Sequence, residues 1–208
     1  MSAIERIAYN VGRRDEVPNQ ELARELAEAG DERGVSEMVE HLDDGNKSVA
    51  SDCLKVLYEV GYIDPTLIEP YTGTFIDLLK SRQNRMVWGG MIALWTVADS
   101  RYEAIWERID EVLDALEGGT VITVVSGVKA LAVVASKSPE YEERLRPVLF
   151  AILRQCKPKL LATHAEDMLV MLNGGNREDF LEVLRARDDE LSRSQRTRVN
   201  RVVRRLDR

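Results

Sequence analysis

Side chains able to do chemistry are few in this 208-residue chain and stand apart from one another. His41 and His164 have no neighbouring ligands at metal spacing, and neither Cys53 nor Cys156 belongs to a C-x-x-C pair. No G-x-G-x-x-G follows a strand pattern, and neither a P-loop nor a G-x-S-x-G elbow occurs. The carboxylate pairs Asp43-Asp44 and Asp188-Asp189 read as solvated helix ends. A lone histidine on a repeating helix reads as a surface or half-buried residue. The expectation is a protein without catalysis, metal or cofactor.

Recognition chemistry is better represented. Trp88, Ile92 and Trp95 are spaced i, i+4 and i+7, which lines them up along one helical stripe. Arg85 lies one turn before Trp88. Trp, Tyr and Arg dominate binding hot spots, so this stripe, flanked by Tyr58, Val125 and Arg85, is the first candidate for contact with a partner. The competing reading makes the same stripe core, covered by neighbouring helices. A second candidate lies between Arg185 and Arg208, where nine arginines face four carboxylates. Arg198, Arg201 and Arg205 could hold phosphate, nucleic acid or an acidic protein. An end-cap with solvated or paired arginines is favoured, because the rest of the chain is acidic and repels a phosphate backbone.

The elements that must position these residues recur along the chain. Leu57, Leu94 and Leu131 fall 37 residues apart. Around them, segments 49–60, 86–97, 123–134 and 161–172 carry apolar residues on one helical face, with Leu169 in the fourth copy displaced by one residue. Each copy has a small residue at the same place, Cys53, Gly90, Gly127 or Ala165, where a neighbouring helix can approach closely. Gly in mid-helix costs about 1 kcal/mol against Ala, so Gly90 and Gly127 mark crowded crossings. A second helix is predicted ahead of each copy, over 35–42, 65–81, 102–116 and 139–155, with Leu42, Leu79, Leu116 and Leu153 keeping the same step. Pro70 and Pro147 are expected to kink or shorten theirs. TVITVVSG (120–127) looks like a strand in isolation, but its register with the other copies predicts a helix covered on more than one side. Asn19 is expected to cap a helix carrying Leu22 and Leu26.

Composition agrees with a folded helical protein: 44% apolar and 31% charged residues, with a formal net charge of −7. Two isolated cysteines in apolar surroundings suggest a reducing, cytoplasmic setting. No apolar run is long enough to span a membrane, and the start has no apolar core of signal-peptide length.

Leu42-Asp43-Asp44 ahead of Val49, Cys53, Val56 and Leu57 resembles the HEAT and armadillo repeat families. The resemblance implies an all-α fold, a right-handed α-α superhelix of about five to six stacked helix pairs. One domain over residues 1–208 is expected, with cap helices at 1–34, four helix-pair repeats at 35–172, and a C-terminal pair with an Arg-rich cap at 173–208. It further implies a macromolecule-binding surface, with Trp88, Ile92 and Trp95 on the concave side. The leading expectation is a scaffold for an unidentified protein partner or a second copy of itself. The alternative is a nucleic-acid-binding protein related to HEAT-like DNA glycosylases that excise alkylated bases, which Arg85, Trp88 and Trp95 superficially fit. The acidic body and the lack of a matching Trp/Asp/Arg catalytic grouping count against it. A prosthetic-group ligand, as in HEAT-like lyases acting on pigments, ranks last.

Overall fold

The computed structural model describes residues 2–206, and within them every regular element is helical. In chain order the helices are α1 (Val17–Ala29), α2 (Glu32–Glu40), α3 (Lys47–Ile63), α4 (Thr72–Leu78), α5 (Asn84–Val97), α6 (Tyr102–Glu107), α7 (Ile109–Glu117), α8 (Val121–Ala135), α9 (Pro139–Gln155), α10 (Pro158–Met168), α11 (Arg177–Ala186) and α12 (Arg193–Leu206). The chain forms two compact units, Met1–Gly127 and Val128–Arg208. Asp207 and Arg208, two of the residues counted in the arginine-rich tail, lie outside the described residues.

Helix boundaries follow the turn chemistry. Asp31, Asn46 and Ser138 cap α2, α3 and α9 by accepting the Gly34, Ser48 and Tyr141 backbone N–H groups. Gly30 ends α1 in the left-handed conformation that other residues avoid. The β-branched stretch from Val121 is indeed helical, as its repeat register requires. Its cover is partial: Val128, Leu131 and Val134 are fully buried, whereas Val121 and Ile122 face solvent.

The repeated leucines Leu57, Leu94 and Leu131 are all fully buried. Leu57 on α3 and Leu94 on α5 are fully buried in the N-terminal unit, where α3 packs on α1, α2 and α5. Leu131 is fully buried in the C-terminal unit, where α10 packs on α9 and α12. In the fourth copy the backbone tightens into a 3-10 turn after Met168, so Met168 takes the buried place and Leu169 is only half-buried. Gly90 and Gly127 sit at tight crossings: a Cβ on Gly90 would lie 2.9 Å from the Phe75 carbonyl oxygen, and one on Gly127 would meet the Leu116 side chain.

Three local expectations need correction. The segment 102–116 is not one helix but α6 and α7, broken at Arg108, whose guanidinium donates to the Gly73 carbonyl, Asp77 and Glu111. Pro70 falls in a 3-10 turn ahead of α4, which reduces the 65–81 helix to its second half, but α9 runs unbroken past an exposed Pro147. Asn19 does not cap. It lies inside α1, completely buried, and its Oδ1 accepts the Ala8 N–H at 2.8 Å, tying the N-terminal segment to the helix.

Candidate functional site

Two parallel second helices carry the aromatic surface of the N-terminal unit. α3 contributes Tyr58 and Tyr62 one turn apart; α5 contributes Trp88 and Trp95 two turns apart. Their rings form a continuous chain: Trp88 to Tyr58 at 6.1 Å between centroids, Tyr58 to Tyr62 at 6.0 Å, and Tyr62 to Trp95 at 5.9 Å. All three pairs are tilted or edge-on, the arrangements that ring quadrupoles favour.

The stripe is neither open surface nor core. Trp88 and Trp95 are half-buried, Tyr58 is buried, and Tyr62 is 48% exposed. Ile92, placed between the tryptophans by the sequence spacing, is buried at 8% exposure and presents almost no surface. Val125 is half-buried and Arg85 is exposed one turn before Trp88. Tyr62 is the residue that sequence reasoning missed. It lies two residues beyond the repeat alignment, which stops at Val60, although its i, i+4 spacing from Tyr58 was a usable signal.

Beside Trp88 and Tyr58 the surface sinks into a cleft of about 350 Å³, bordered by Tyr9, Arg13, Arg14, Asp52, Lys55 and Arg85. Lys55 extends over the Tyr58 ring at 4.9 Å and contacts Glu16 at 2.8 Å and Glu59 at 2.6 Å. Burial opposes its charge, but hydrogen bonds to these two carboxylates hold the Lys55 ammonium above its usual pKa. Burial pushes the Tyr58 hydroxyl up to about 12, so it stays protonated. Arg13 makes a two-pronged contact with Asp15 at 2.9 Å on each arm. The Asp52 carboxylate accepts the Tyr9 N–H at 2.8 Å. These contacts build a rigid wall of matched charges around an aromatic floor. They provide no nucleophile–base pair.

The arginine-rich tail is differently disposed. Val199 and Val202 of α12 are buried, and the helix packs on α10. Arg198 is already engaged, with its Nε 3.0 Å from Glu166 Oε1, and Arg196 and Arg187 are bound to Asp188 and Glu190. Arg201 and Arg205 remain exposed. A completely buried histidine lies in the same unit. His164 is completely buried, contrary to the surface or half-buried position expected for a lone histidine, and neither ring nitrogen has a hydrogen-bond partner. Burial lowers its pKa. One turn on, burial pushes the Asp167 carboxyl up to about 6, against the opposing field of Lys129, and its Oδ2 is also unpartnered. Cys53 is buried with its thiol pushed up to about 12, while Cys156 is partly exposed and receives an Arg187 N–H at 3.3 Å. Among the described residues no group of three His, Cys, Asp or Glu side chains could hold a metal ion. Among the described residues no helix is long and apolar enough to cross a membrane.

No protein-family model and no curated protein sequence matches this chain. Solved structures do. An engineered protein superposes with a TM-score of 0.62 at 18% identity, covering 98% of this chain and 96% of its own. A designed armadillo repeat protein in complex with the peptide (KR)4 gives 0.62 at 15% identity over 89% of this chain and 85% of its own. The chain has an armadillo-like helical repeat fold. Computationally designed armadillo repeat proteins for modular peptide recognition match over 97% of both chains, at 13% identity and a TM-score of 0.60. In such a fold each repeat buries its leucines against its neighbours, which leaves side chains off that seam free to form a contact surface.

Proposed function

We propose that this armadillo-like chain is a non-catalytic scaffold that holds a segment of a partner protein against the aromatic surface of α3 and α5. The observation that carries the reading is the linked chain Trp88–Tyr58–Tyr62–Trp95, fixed by ring contacts yet open to solvent at Tyr62 and at the two indoles. Half-buried, pre-ordered aromatics offer a large contact area at little entropic cost, which is the usual make-up of a binding hot spot. The peptide-recognising armadillo designs of the same fold support a peptide segment as the occupant. Nucleic acid is the weaker alternative, because Arg198 is engaged by Glu166 and the net charge of the chain is −7.

A linear-peptide display library selected against the intact protein tests the reading. The selected peptides are expected to lose about thirtyfold or more in affinity when Trp88→Ala and Trp95→Ala are combined, as for truncation of paired hot-spot aromatics. Far-UV circular dichroism checks that the variant stays folded. Failure to select any peptide, or equal affinity for the folded variant, would remove the aromatic surface from the function.

A further inference from the structure

The cleft at the Trp88 end of the aromatic chain carries a charge imbalance that selects among partners. Four cations border it: Arg13, Arg14, Lys55 and Arg85. Arg13 is held by Asp15, and Lys55 is held by Glu16 and Glu59. Arg14 and Arg85 are both exposed and make no ion pair among the described residues. On the acidic side, Asp15 and Glu16 are spent on these pairs, while Asp52 accepts the Tyr9 backbone N–H. The bordering cations left without an acidic partner beside Trp88 and Tyr58 are therefore two guanidiniums, each with a planar fork suited to a carboxylate.

We infer that the cleft takes an acidic peptide segment, with a carboxylate received by Arg14 and Arg85 next to an apolar or aromatic side chain seated on Trp88. The inference rests on the scaffold reading above and names the chemistry of its partner. Arg85 stands one helical turn before Trp88 on the same face of α5, so adjacent residues of an extended segment reach both groups. A phosphate backbone fits less well. It places a charge at every step, and only two of the bordering cations lack an acidic partner to meet them. The requirement is also opposite to that of a basic segment such as the (KR)4 peptide held by the designed relative.

Surface plasmon resonance with the intact chain separates the possibilities. Four probes are compared: a peptide alternating Glu with Trp, its Gln-for-Glu counterpart, (KR)4, and an oligothymidine. The acidic peptide is expected to bind tightest, weakening at higher salt and falling about tenfold in the R14Q/R85Q double variant, whereas the Gln peptide binds both proteins equally. Both arginines are exposed, so the variant keeps its fold. Acidic and Gln peptides binding alike, or (KR)4 or oligothymidine binding more tightly, would overturn the acidic assignment. If those binders still lose affinity in the Trp88→Ala/Trp95→Ala variant, the scaffold reading survives. No binding by any probe, with display selection also empty, would sink both.

Discussion

The two units differ in where aromatic side chains and buried titratable groups lie: the linked rings Trp88, Tyr58, Tyr62 and Trp95 belong to the first, His164 and Asp167 to the second. In the N-terminal unit Arg14 and Arg85 stand in solvent beside an aromatic floor, and among the described residues Asn19 Nδ2 is its one buried side-chain atom without a partner. In the C-terminal unit Arg187, Arg196 and Arg198 are each paired with a carboxylate, Arg201 and Arg205 stand exposed, and the unpartnered buried atoms lie on His164 and Asp167. Unmet hydrogen-bonding capacity at a surface is available to a partner; the same capacity in an interior costs stability. Recognition is proposed for the first unit, and the second carries a buried stability cost that responds to pH.

The comparison is most exposed to failure at its aromatic side chains. Phe180, fully buried and 6.1 Å from Phe150 between ring centroids, is expected to lose about 3–5 kcal/mol on Phe180→Ala in urea unfolding. Trp88→Ala, removing a half-buried ring, is expected to cost only about 1–2 kcal/mol. Equal losses would make Trp88 a core residue and close the aromatic surface. Gly90→Ala comes next, at about 1–3 kcal/mol, because the new methyl meets the Phe75 carbonyl and the backbone cannot step aside.

His164 and Asp167 sharpen the other side. The folded pKa of His164 is lowered, so its contribution is intact above the unfolded value of 6.5 and is lost as pH falls below it. Asp167 has the opposite sign. Its folded pKa is raised to about 6, so acidification from there towards 3.8 relieves its burial. His164→Leu is expected to add about 1–2 kcal/mol at neutral pH by removing two orphaned nitrogens, and to flatten the acid-side loss. Asp167→Asn is expected to stabilise above pH 6 and to abolish the relief below it. Thermal unfolding across pH 4–8 reads both; an unchanged acid limb in His164→Leu would show that the histidine is not the sensor. The smallest effect is at Arg198→Gln, under about 1 kcal/mol, since its partner Glu166 is reachable by solvent.

Much of this architecture was legible because the repeat constrains residues by position as well as by type. Leu57, Leu94 and Leu131 are all fully buried, and a valine-rich segment at 120–127 is helical because its register, rather than its propensity, decides. The break at Arg108 was not legible: its side chain reaches a carbonyl and a carboxylate more than thirty residues away, and periodicity carries no record of such contacts. Asn19 likewise serves a distant backbone N–H in place of a local one. At the candidate site, the Trp88/Trp95 stripe and Arg85 could be read from spacing. The role of Tyr58 as the link to Trp88 required knowing which turns of α3 and α5 lie side by side, and the inclusion of Arg14 required knowing where the segment ahead of α1 runs.

The placement of the indoles has an optical consequence. All three tryptophans, Trp88, Trp95 and Trp106, belong to Met1–Gly127, and the other unit contains a single tyrosine, Tyr141. Emission from tryptophan, excited at wavelengths where tyrosine does not absorb, therefore follows the N-terminal unit alone, while far-UV ellipticity averages over every helix. Melting curves from the two signals, overlaid, would reveal whether the halves of this chain come apart together or in turn.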